Sequence, residues 1–532
     1  MRFGIALFAL SVVAIATVWA WLGEPIAMPN APLGPGEKLY CVSYSPFRGE
    51  QTPADPTTHI DARQIEDDLA RLAKLTDCVR TYSLALGVDQ VPAIARRHGL
   101  KVMLGIWLST EPDKTRAEIE TGIKLANQYP DVIRALIVGN EVLLRGEMSA
   151  LDLAGTIRTI KARVHVPVTY ADVWEFWLRN VPLASAVDFV TIHILPYWED
   201  FPIPARDAAS HVDSIRQRVA KAFPGKEIMI GEVGWPSFGR MRDGARPSPA
   251  NQARVIQDVL AIAKRNNFRV NVIEAFDEPW KRLQEGTVGA HWGLLDANAR
   301  EFKFQWGKPV SNHPFWIWQA IGGIAFAAAI FGAAIARARG RVTTIGTWIA
   351  IGVMATTGGV LIGWAFVNVP LESFGLGGWI RSIALAAVAL VVPPAVAAAM
   401  VADVGLPRLS QITGPAAGRV REPLPLVLGA ALAVLIVLAI QVALGLVFDP
   451  RYRDFPFAPF TCAVVPLFLH SLIMRRPAGA RGMAEMIGAG MLGLSAVYIV
   501  LNETFANWQS LWLCAAFATL AITLVRVRGE RS

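Results

Sequence analysis

Cysteine is scarce in this sequence, and its scarcity excludes several classes of protein. Four cysteines occur among 532 residues, at positions 41, 78, 462 and 514. They are too few for a disulfide-stapled small domain, and no two have the spacing of a metal site. Cys41 and Cys78 each begin an apolar run typical of a strand. A bridge between neighbouring strands is one interpretation of this pair, but we favour two buried free thiols.

A glycine-rich phosphate-binding fingerprint is also missing. None follows the first strand-like run, which argues against a dinucleotide-binding protein. Histidine is rare, with eight in the chain. His193 has no second histidine or carboxylate at the spacing of a metal ligand, so we expect a hydrogen-bonded core residue there. The sequence therefore predicts neither a metal nor another cofactor.

Charged residues make up only 18% of the chain, against 53% hydrophobic residues. This composition is too apolar for an ordinary soluble enzyme. The apolar excess lies in one segment at the start and a series at the end, each about the length that crosses a bilayer as a helix. The eight predicted spans are 4–22, 315–336, 343–367, 380–401, 423–447, 457–474, 483–501 and 508–525.

The first span has a second interpretation, which is a cleaved signal peptide. We favour an uncleaved anchor because about 20 uncharged residues exceed the usual apolar region of a signal peptide, and AWL at 20–22 is a poor cleavage site. Along the chain, the sequence predicts an anchor at 1–23, a linker at 24–38, a globular domain at 39–310, a seven-helix membrane domain at 315–526 and a cytoplasmic tail at 527–532.

Arginine placement orients the spans, because short cytoplasmic loops retain Lys and Arg. Thirteen arginines fall on one side, whereas the opposite loops carry only Arg381, Arg451 and Arg453. The globular domain is therefore expected outside the cytoplasm, with both chain ends inside. The thirteen are Arg2, Arg337, Arg339, Arg341, Arg408, Arg419, Arg421, Arg475, Arg476, Arg481, Arg526, Arg528 and Arg531.

The net charge of +8 does not indicate a nucleic acid partner. Taking the thirteen arginines from it leaves −5 for the rest of the chain. The positive charge thus belongs to the membrane topology rather than to a basic binding surface.

Strand-like and helix-like runs alternate through the globular domain. Eight strands alternating with helices over roughly 270 residues predict an α/β fold, a closed (β/α)8 TIM barrel, followed by the α-helical membrane domain. An open doubly wound sheet is the alternative. The predicted strands are 40–45, 78–84, 101–108, 133–141, 166–171, 189–195, 227–233 and 270–276.

Two glutamates close predicted strands. Glu141 ends the fourth strand, and Glu232 lies at the end of the seventh. Chemistry in such a barrel collects at the C-terminal ends of the strands. A lone glutamate there is more often solvated or salt-bridged, but the joint placement favours a carboxylate pair that cuts or remakes a glycosidic bond.

Three motifs carry a resemblance to a known family: VGNE at 138–141, GEVGWPS at 231–237 and AFDEPWK at 275–281. They resemble the signatures of glycoside hydrolase family 17, the β-1,3-glucanase family, over residues 39–304. The resemblance implies a (β/α)8 fold and retaining chemistry, with Glu141 as the acid/base and Glu232 as the nucleophile.

The predicted substrate-binding residues lie in these motifs or at strand ends. The resemblance implies that Asn140 contacts the sugar 2-hydroxyl. Trp280 either lines a subsite or caps the barrel core, and Tyr44 and Tyr82 either point into the cleft or pack. The set is Asn140, Tyr44, Tyr82, Tyr197, Trp235, Glu278, Trp280 and Lys281.

The sequence departs from the family pattern at two places. Leu195 stands where many members have the first tyrosine of Tyr-Pro-Tyr, and Val233 follows the nucleophile position where threonine is usual. These changes bear on subsite details and linkage preference rather than on the chemistry.

The membrane domain distinguishes the possible functions, because a degradative enzyme needs at most one anchor. Membrane proteins that resemble this arrangement, in bacteria such as bradyrhizobia, are linked to periplasmic β-(1,3),(1,6)-glucans. We therefore predict an inner-membrane, periplasm-facing β-glucan transglycosylase that forms β-1,6 linkages or branches. The alternatives are a membrane-tethered endo-β-1,3-glucanase and a non-catalytic glucan-binding or scaffold subunit.

The predicted partners follow from the same arrangement. They are a β-glucan substrate, the lipid bilayer and a membrane glucan synthase beside which the spans would hold the enzyme. Few ionisable groups lie inside the spans, where His470 and Gln441 are the main polar residues. An ion-coupled transporter is therefore not favoured.

Overall fold

The computed structural model describes residues 2–339, 341–413, 422–474 and 482–527. The chain divides into two compact units. The barrel unit comprises Ile26–Phe238 and Gly244–Val310, and the helical unit comprises Met1–Pro25, Gly239–Asp243 and Ser311–Ser532.

A closed parallel barrel forms the centre of the barrel unit. Its strands are hydrogen-bonded in chain order, and the last pairs with the first, with Cys41 opposite Asn271. The predicted (β/α)8 barrel is thus confirmed, and the open-sheet alternative is wrong. The strands are β1 (Cys41–Ser43), β2 (Cys78–Arg80), β3 (Lys101–Ile106), β4 (Ile133–Asn140), β5 (Val168–Val173), β6 (Val190–His193), β7 (Ile228–Val233) and β8 (Val270–Val272).

Helices are numbered along the whole described chain. Short 3-10 turns occur at Val88–Gln90, Val181–Ser185 and Pro279–Lys281. The helices are α1 (Arg2–Gly23), α2 (Ala62–Leu72), α3 (Val91–Arg97), α4 (Pro112–Gln128), α5 (Ala150–Lys161), α6 (Trp174–Arg179), α7 (Ala205–Ala222), α8 (Pro249–Asn266), α9 (Arg282–Gly289), α10 (Trp316–Ala338), α11 (Ile345–Glu372), α12 (Gly375–Ala402), α13 (Leu409–Thr413), α14 (Pro423–Phe448), α15 (Phe457–Ile473), α16 (Met483–Glu503) and α17 (Trp508–Arg526).

Helix α2 shows how the sequence pattern packs the barrel. Asp61 accepts a hydrogen bond from the backbone N–H of Gln64 and so caps the helix start. Ile65, Leu69 and Leu72 then recur on one face and are buried. Each such side chain contributes about 1.5–3 kcal/mol when it is removed from water. The stripe therefore packs the helix against the hydrophobic core of the barrel unit.

The barrel interior changes character along the strands. Near the strand starts an apolar cluster fills it, whereas polar side chains are buried near the strand ends. The apolar cluster is Cys41, Cys78, Met103, Ala135, Ile137, Ala171, Phe189 and Met229. The buried polar residues toward the other end include Ser43, Arg80, Thr191, His193, Glu232 and Asn271. The side chains that could take part in a reaction therefore collect toward the strand ends.

Cys41 and Cys78 form a disulfide, which corrects our expectation of two free thiols. Their Cα atoms are 4.4 Å apart. The parallel register pairs Val42 with Val79, so the two preceding cysteines lie side by side on neighbouring strands. Cys462 and Cys514 are free and buried.

The helical unit contains seven described helices that are long and apolar enough to cross a membrane: α1, α10, α11, α12, α14, α16 and α17. The remaining predicted span, the sixth at 457–474, corresponds to α15, a shorter apolar helix of 17 residues. At 1.5 Å per residue α15 is about 25 Å long, slightly less than a hydrocarbon core. Pro393 and Pro394 lie inside α12 without ending it.

The arginines that orient the predicted spans are only partly described. Arg2 begins α1, Arg337 lies in the last turn of α10, and Arg526 ends α17. Arg339, Arg341 and Arg408 lie in described connections. The remaining seven lie outside the described residues: Arg419, Arg421, Arg475, Arg476, Arg481, Arg528 and Arg531.

A buried ion pair lies at a helix end of the helical unit. Arg240, in the segment Gly239–Asp243, pairs with Glu503 at the end of α16, and the two side chains are only 4% and 8% exposed. Asn507 donates hydrogen bonds to the Met241 carbonyl and to Glu503, at 3.1 and 3.0 Å. These contacts tie the segment Gly239–Asp243 to the end of α16 and to the start of α17.

Candidate active site

The backbone bends sharply where β4 ends. Gly139 has φ of +87°, and a Cβ there would lie 2.6 Å from Val142 Cγ2. Glu141 follows with φ of +52°, and its N–H donates to the Ala171 carbonyl of β5 at 2.8 Å. A left-handed backbone costs a non-glycine residue of order 1–3 kcal/mol, and such residues are common at functional sites.

His193, at the end of β6, lies between the two predicted catalytic glutamates. Its Nδ1 is 2.7 Å from Glu141 Oε1, and its Nε2 is 3.5 Å from Glu232 Oε1. The ring is fully buried. The expectation of a hydrogen-bonded core histidine is confirmed, but sequence spacing did not reveal that two carboxylates flank it.

Glu232, on β7, is held by a buried arginine that the sequence did not single out. Arg80 Nη1 donates to Glu232 Oε1 at 3.0 Å and to the Gly231 carbonyl at 2.8 Å. Its Nη2 donates to Asn140 Oδ1 at 2.5 Å. Arg80 is 1% exposed. This one guanidinium therefore links the ends of β2, β4 and β7.

The two carboxylates are close enough to act on one sugar. One oxygen of Glu141 and one of Glu232 lie within 4.8 Å of each other, with a nitrogen of His193 in the same group. Retaining glycosidases place their two carboxyl groups about 5–5.5 Å apart, and inverting enzymes leave a wider gap for water. The spacing therefore fits direct attack on the anomeric carbon.

Glu141, His193 and Glu232 also have the composition of a metal site. Arg80 already places positive charge against this set, 3.0 Å from the Glu232 oxygen and 3.4 Å from His193 Nε2. A second cation would be repelled there. The histidine also directs its two nitrogens to different carboxylates. The arrangement thus suits a hydrogen-bonded acid pair better than a metal ion.

The electrostatics of the site favour the ionised form of Glu141. Burial opposes its ionisation, but the hydrogen bond and charge of His193, together with Arg80 and Arg145, lower the pKa of Glu141 below its ordinary value. On β5, burial raises the pKa of Asp172 to about 6, against the hydrogen bond from Tyr170. The pKa values of two nearby carboxyl groups, Glu141 and Asp172, are therefore shifted in opposite directions.

A second polar cluster brings together three of the predicted substrate-binding residues: Tyr82, Glu278 and Lys281. Lys281 Nζ lies 2.7 Å from Glu274 Oε1 and 2.8 Å from Glu278 Oε2. The Tyr82 hydroxyl donates to Ser43 Oγ at 2.9 Å and lies 3.5 Å from Glu274 Oε1. Burial and the Glu274 charge raise the pKa of Glu278 to about 8.

Three predicted sugar-binding residues instead lie in the core, which for Tyr44 is the packing role that the sequence left open. Tyr44 is 1% exposed, and its hydroxyl donates to buried Asp68 at 3.0 Å. Tyr197 and Trp235 are fully buried, with ring centroids 6.1 Å apart in an edge-on contact. Rings without exposed faces cannot stack on a sugar.

Trp280 falls between its two predicted roles. The ring is half-buried and packs edge-on against Phe47, with centroids 6.0 Å apart. It also lies against the hydrophobic core. One part of Trp280 therefore closes the core, while another part is open to solvent.

A closed (β/α)8 barrel with paired carboxylates at this spacing is the arrangement of a retaining glycoside hydrolase. Comparison with known families agrees. The family described as the BtgE/BtgC glycoside hydrolase domain matches residues 41–293, nearly the whole barrel unit. The barrel unit therefore has the glycoside hydrolase family 17-like fold that the motifs implied.

Several known proteins are similar to this chain. A glucan 1,3-beta-glucosidase of Candida albicans is 29% identical over 271 residues, which cover 46% of this chain and 86% of that protein. A glucan 1,3-beta-glucosidase of Schizosaccharomyces pombe is 27% identical over 248 residues, 43% and 77% of the two chains. The crystal structure of a family 17 beta-1,3-glucanosyltransferase from Rhizomucor miehei is 28% identical, covers 50% of this chain and 95% of its own, and has a TM-score of 0.44.

Proposed function

We propose that this protein is a retaining β-glucan transglycosylase that acts on β-1,3-glucan, with Glu232 as nucleophile and Glu141 as acid/base. The observation that carries the proposal is the approach of their carboxylate oxygens to within 4.8 Å, with His193 between them. The names of the similar glucan 1,3-beta-glucosidases support β-1,3-glucan as the substrate class.

The first step breaks the glycosidic bond. Glu232 attacks the anomeric carbon and forms a covalent glycosyl-enzyme, while Glu141 gives its proton to the departing oxygen. Arg80 stays bonded to Glu232 and compensates its charge until the ester forms. Glu141 must carry its proton for this step, and a bound sugar that excludes water would favour the protonated carboxyl.

The second step resolves the covalent intermediate. Glu141, now a carboxylate, takes the proton of an incoming hydroxyl, whose oxygen attacks the anomeric carbon and releases Glu232. A sugar hydroxyl as acceptor gives transfer, and water gives hydrolysis. We include transfer to a 6-hydroxyl, which forms β-1,6 linkages or branches, as the finer part of this proposal.

The proposed sugar contacts lie around these two carboxylates. The Asn140 amide oxygen accepts from Arg80, so its amide nitrogen is the group left to bind the sugar 2-hydroxyl. Tyr82, Glu278 and Lys281 belong to the second polar cluster and would hold further hydroxyls. The exposed part of Trp280 would face a pyranose ring.

We further propose that the barrel faces the periplasm of a bacterial inner membrane, between an anchor at 1–23 and a membrane domain at 315–526. The disulfide of Cys41 and Cys78 supports an oxidising compartment, and it is independent of the arginine distribution. A membrane glucan synthase beside the helical unit, supplying nascent glucan, completes the proposal.

Product analysis tests the reaction directly. Purified full-length protein in detergent would be incubated with laminari-oligosaccharides, followed by mass spectrometry and linkage analysis. Longer products with 1,6 links support the full proposal, and longer products with 1,3 links support transfer alone. Exclusively shorter products would favour the second candidate, a membrane-tethered endo-β-1,3-glucanase; the glucosidase names of the relatives support hydrolysis as such. Unchanged sugar would leave a glucan-binding subunit.

A further inference from the structure

We propose that Arg145 is a positioning residue for Glu141, and that through Glu141 it governs the steps in which a proton moves to or from the substrate. The inference rests on the proposed role of Glu141 as acid/base. Arg145 lies in the connection between β4 and α5, four residues after Glu141.

Arg145 joins the connections that follow β3 and β4. Its backbone N–H and its Nε both donate to the Glu141 carbonyl, at 2.8 and 3.4 Å. Its Nη2 donates to the Leu108 carbonyl at 2.9 Å, and its Nη1 pairs with Glu147 at 3.1 Å. The planar guanidinium is thus fixed on several edges, as only arginine allows.

The face of the guanidinium is fixed by an indole ring. Arg145 Cζ lies 4.0 Å from the ring centroid of Trp107, which follows β3. The backbone N–H of Trp107 donates to buried Glu118 at 3.1 Å, and Glu118 also accepts from the N–H of Leu84, after β2, at 3.0 Å. The connections after three strands are therefore joined at the base of Glu141.

The backbone of Glu141 needs such support. Its φ of +52° is unfavourable for a side-chain-bearing residue and persists only where neighbours hold it. Arg145 binds the carbonyl of that same residue, so it resists the rotation that would relax the backbone. Without the guanidinium the Glu141 carboxyl would shift from His193, and a displacement of about 1 Å can cost on the order of 10²-fold in rate.

Arg145→Met tests this idea with two leaving groups. Full-length protein would be assayed on laminaritriose, whose leaving hydroxyl needs a proton, and on a dinitrophenyl laminaribioside, whose leaving group needs none. We expect kcat/KM to fall about 10- to 100-fold on laminaritriose and about 3-fold or less on the dinitrophenyl substrate. Added azide, which attacks without a general base, should restore kcat on the dinitrophenyl substrate.

Arg134→Met is the matched control, because Arg134 lies near the opposite end of β4. It stacks on Tyr40, with Cζ 4.5 Å from the ring centroid, and donates to the Tyr40 carbonyl at 3.0 Å. Its loss removes a similar stack without touching Glu141, so both substrates should be affected equally. Circular dichroism checks the folding of both variants, and Arg145→Lys, which keeps the charge but not the fork, replaces Arg145→Met if the latter does not fold.

Glu141→Gln distinguishes a failure of the proposed role of Glu141 from a failure of the inference about Arg145. It should show a strong dependence on the leaving group, and if it does not, the proposed role of Glu141 fails. If Glu141→Gln shows that dependence while the Arg145 variants slow both substrates alike, only the inference about Arg145 is overturned.

Discussion

The barrel unit and the helical unit bury charge in different places. In the barrel, Arg80, His193 and Glu232 lie inside the fold, at strand ends, within hydrogen-bonding distance of groups from other strands. In the helical unit, the buried pair of Arg240 and Glu503 lies at a helix end. Buried charge is costly unless paired, so each location has a reason. At the strand ends the buried charges are the ones that we propose take part in the reaction. In the helical unit the pair fixes the segment Gly239–Asp243 to the end of α16.

The largest effect is expected from Glu232→Gln, which keeps the shape of the side chain but removes the attacking oxygen anion. Turnover of laminari-oligosaccharides should fall by about 10⁴-fold or more, while the circular dichroism spectrum stays the same. Glu227→Gln is the control, because Glu227 precedes the same strand, is 43% exposed and pairs only at the surface with Arg269. Near-normal turnover by Glu232→Gln would show that the nucleophile is another group.

In the helical unit, a charge change should act on stability. Glu503→Leu leaves Arg240 buried without its carboxylate, and loss of one partner of a buried pair costs about 3–5 kcal/mol of unfolding free energy. Thermal unfolding in detergent measures it. The double variant Arg240→Met/Glu503→Leu should recover part of the loss, and equal stability of parent and single variant would contradict a structural pair.

The disulfide should contribute next. Cys41→Ser/Cys78→Ser opens a bridge between residues 37 apart in sequence, and such a loss costs about 2–4 kcal/mol. Reducing agent added to the parent protein should lower the unfolding temperature similarly. If the reductant changes nothing, the two cysteines are not bridged in the native protein.

His193→Gln should shift the pH profile rather than abolish activity. His193 lowers the pKa of Glu141, so its removal raises that pKa. Because the first step needs protonated Glu141, the alkaline limb of kcat/KM should move to higher pH. Arg80, Arg145, Glu232 and Asp172 also face this carboxyl and would still act on it. A shift to lower pH would contradict the assignment of Glu141 as the acid.

The smallest effect is expected inside the helix bundle. His470, on α15, lies 2.8 Å from the Val404 carbonyl and is distant in sequence from every proposed catalytic residue. His470→Gln keeps a hydrogen-bond donor, so kcat and the ratio of transfer to hydrolysis should stay unchanged. A change in that product ratio would show that the helical unit influences the reaction in addition to any anchoring role.

Much of this architecture could be predicted from sequence because it depends on local patterns. Alternating strand-like and helix-like runs gave the barrel, and strand ends gave the positions of Glu141 and Glu232. The contacts that Arg80 and His193 make with these glutamates could not be predicted from local patterns. Arg80 and Glu232 are 152 residues apart in sequence, and His193 and Glu141 are 52 apart. Arg80 was missed, although an arginine at the end of the short apolar strand β2 is a signal that could have drawn attention to it.

The errors have the same origin. Tyr197 and Trp235 follow strand ends, but sequence does not show which way a side chain turns once the strand has ended, and both turn into the core. The disulfide depends on the register of β1 against β2, which periodicity alone does not fix.

The left-handed backbone at residue 141 places the proposed activity and the stability of the fold in conflict. Glycine would adopt that left-handed angle without penalty, so Glu141→Gly gives up the carboxyl and relieves the chain at the same time. A lineage that no longer depended on the proposed reaction would therefore relieve this backbone strain by exchanging the glutamate for glycine. A surviving glutamate at 141 in distant relatives would therefore be a sign that the reaction is still under selection.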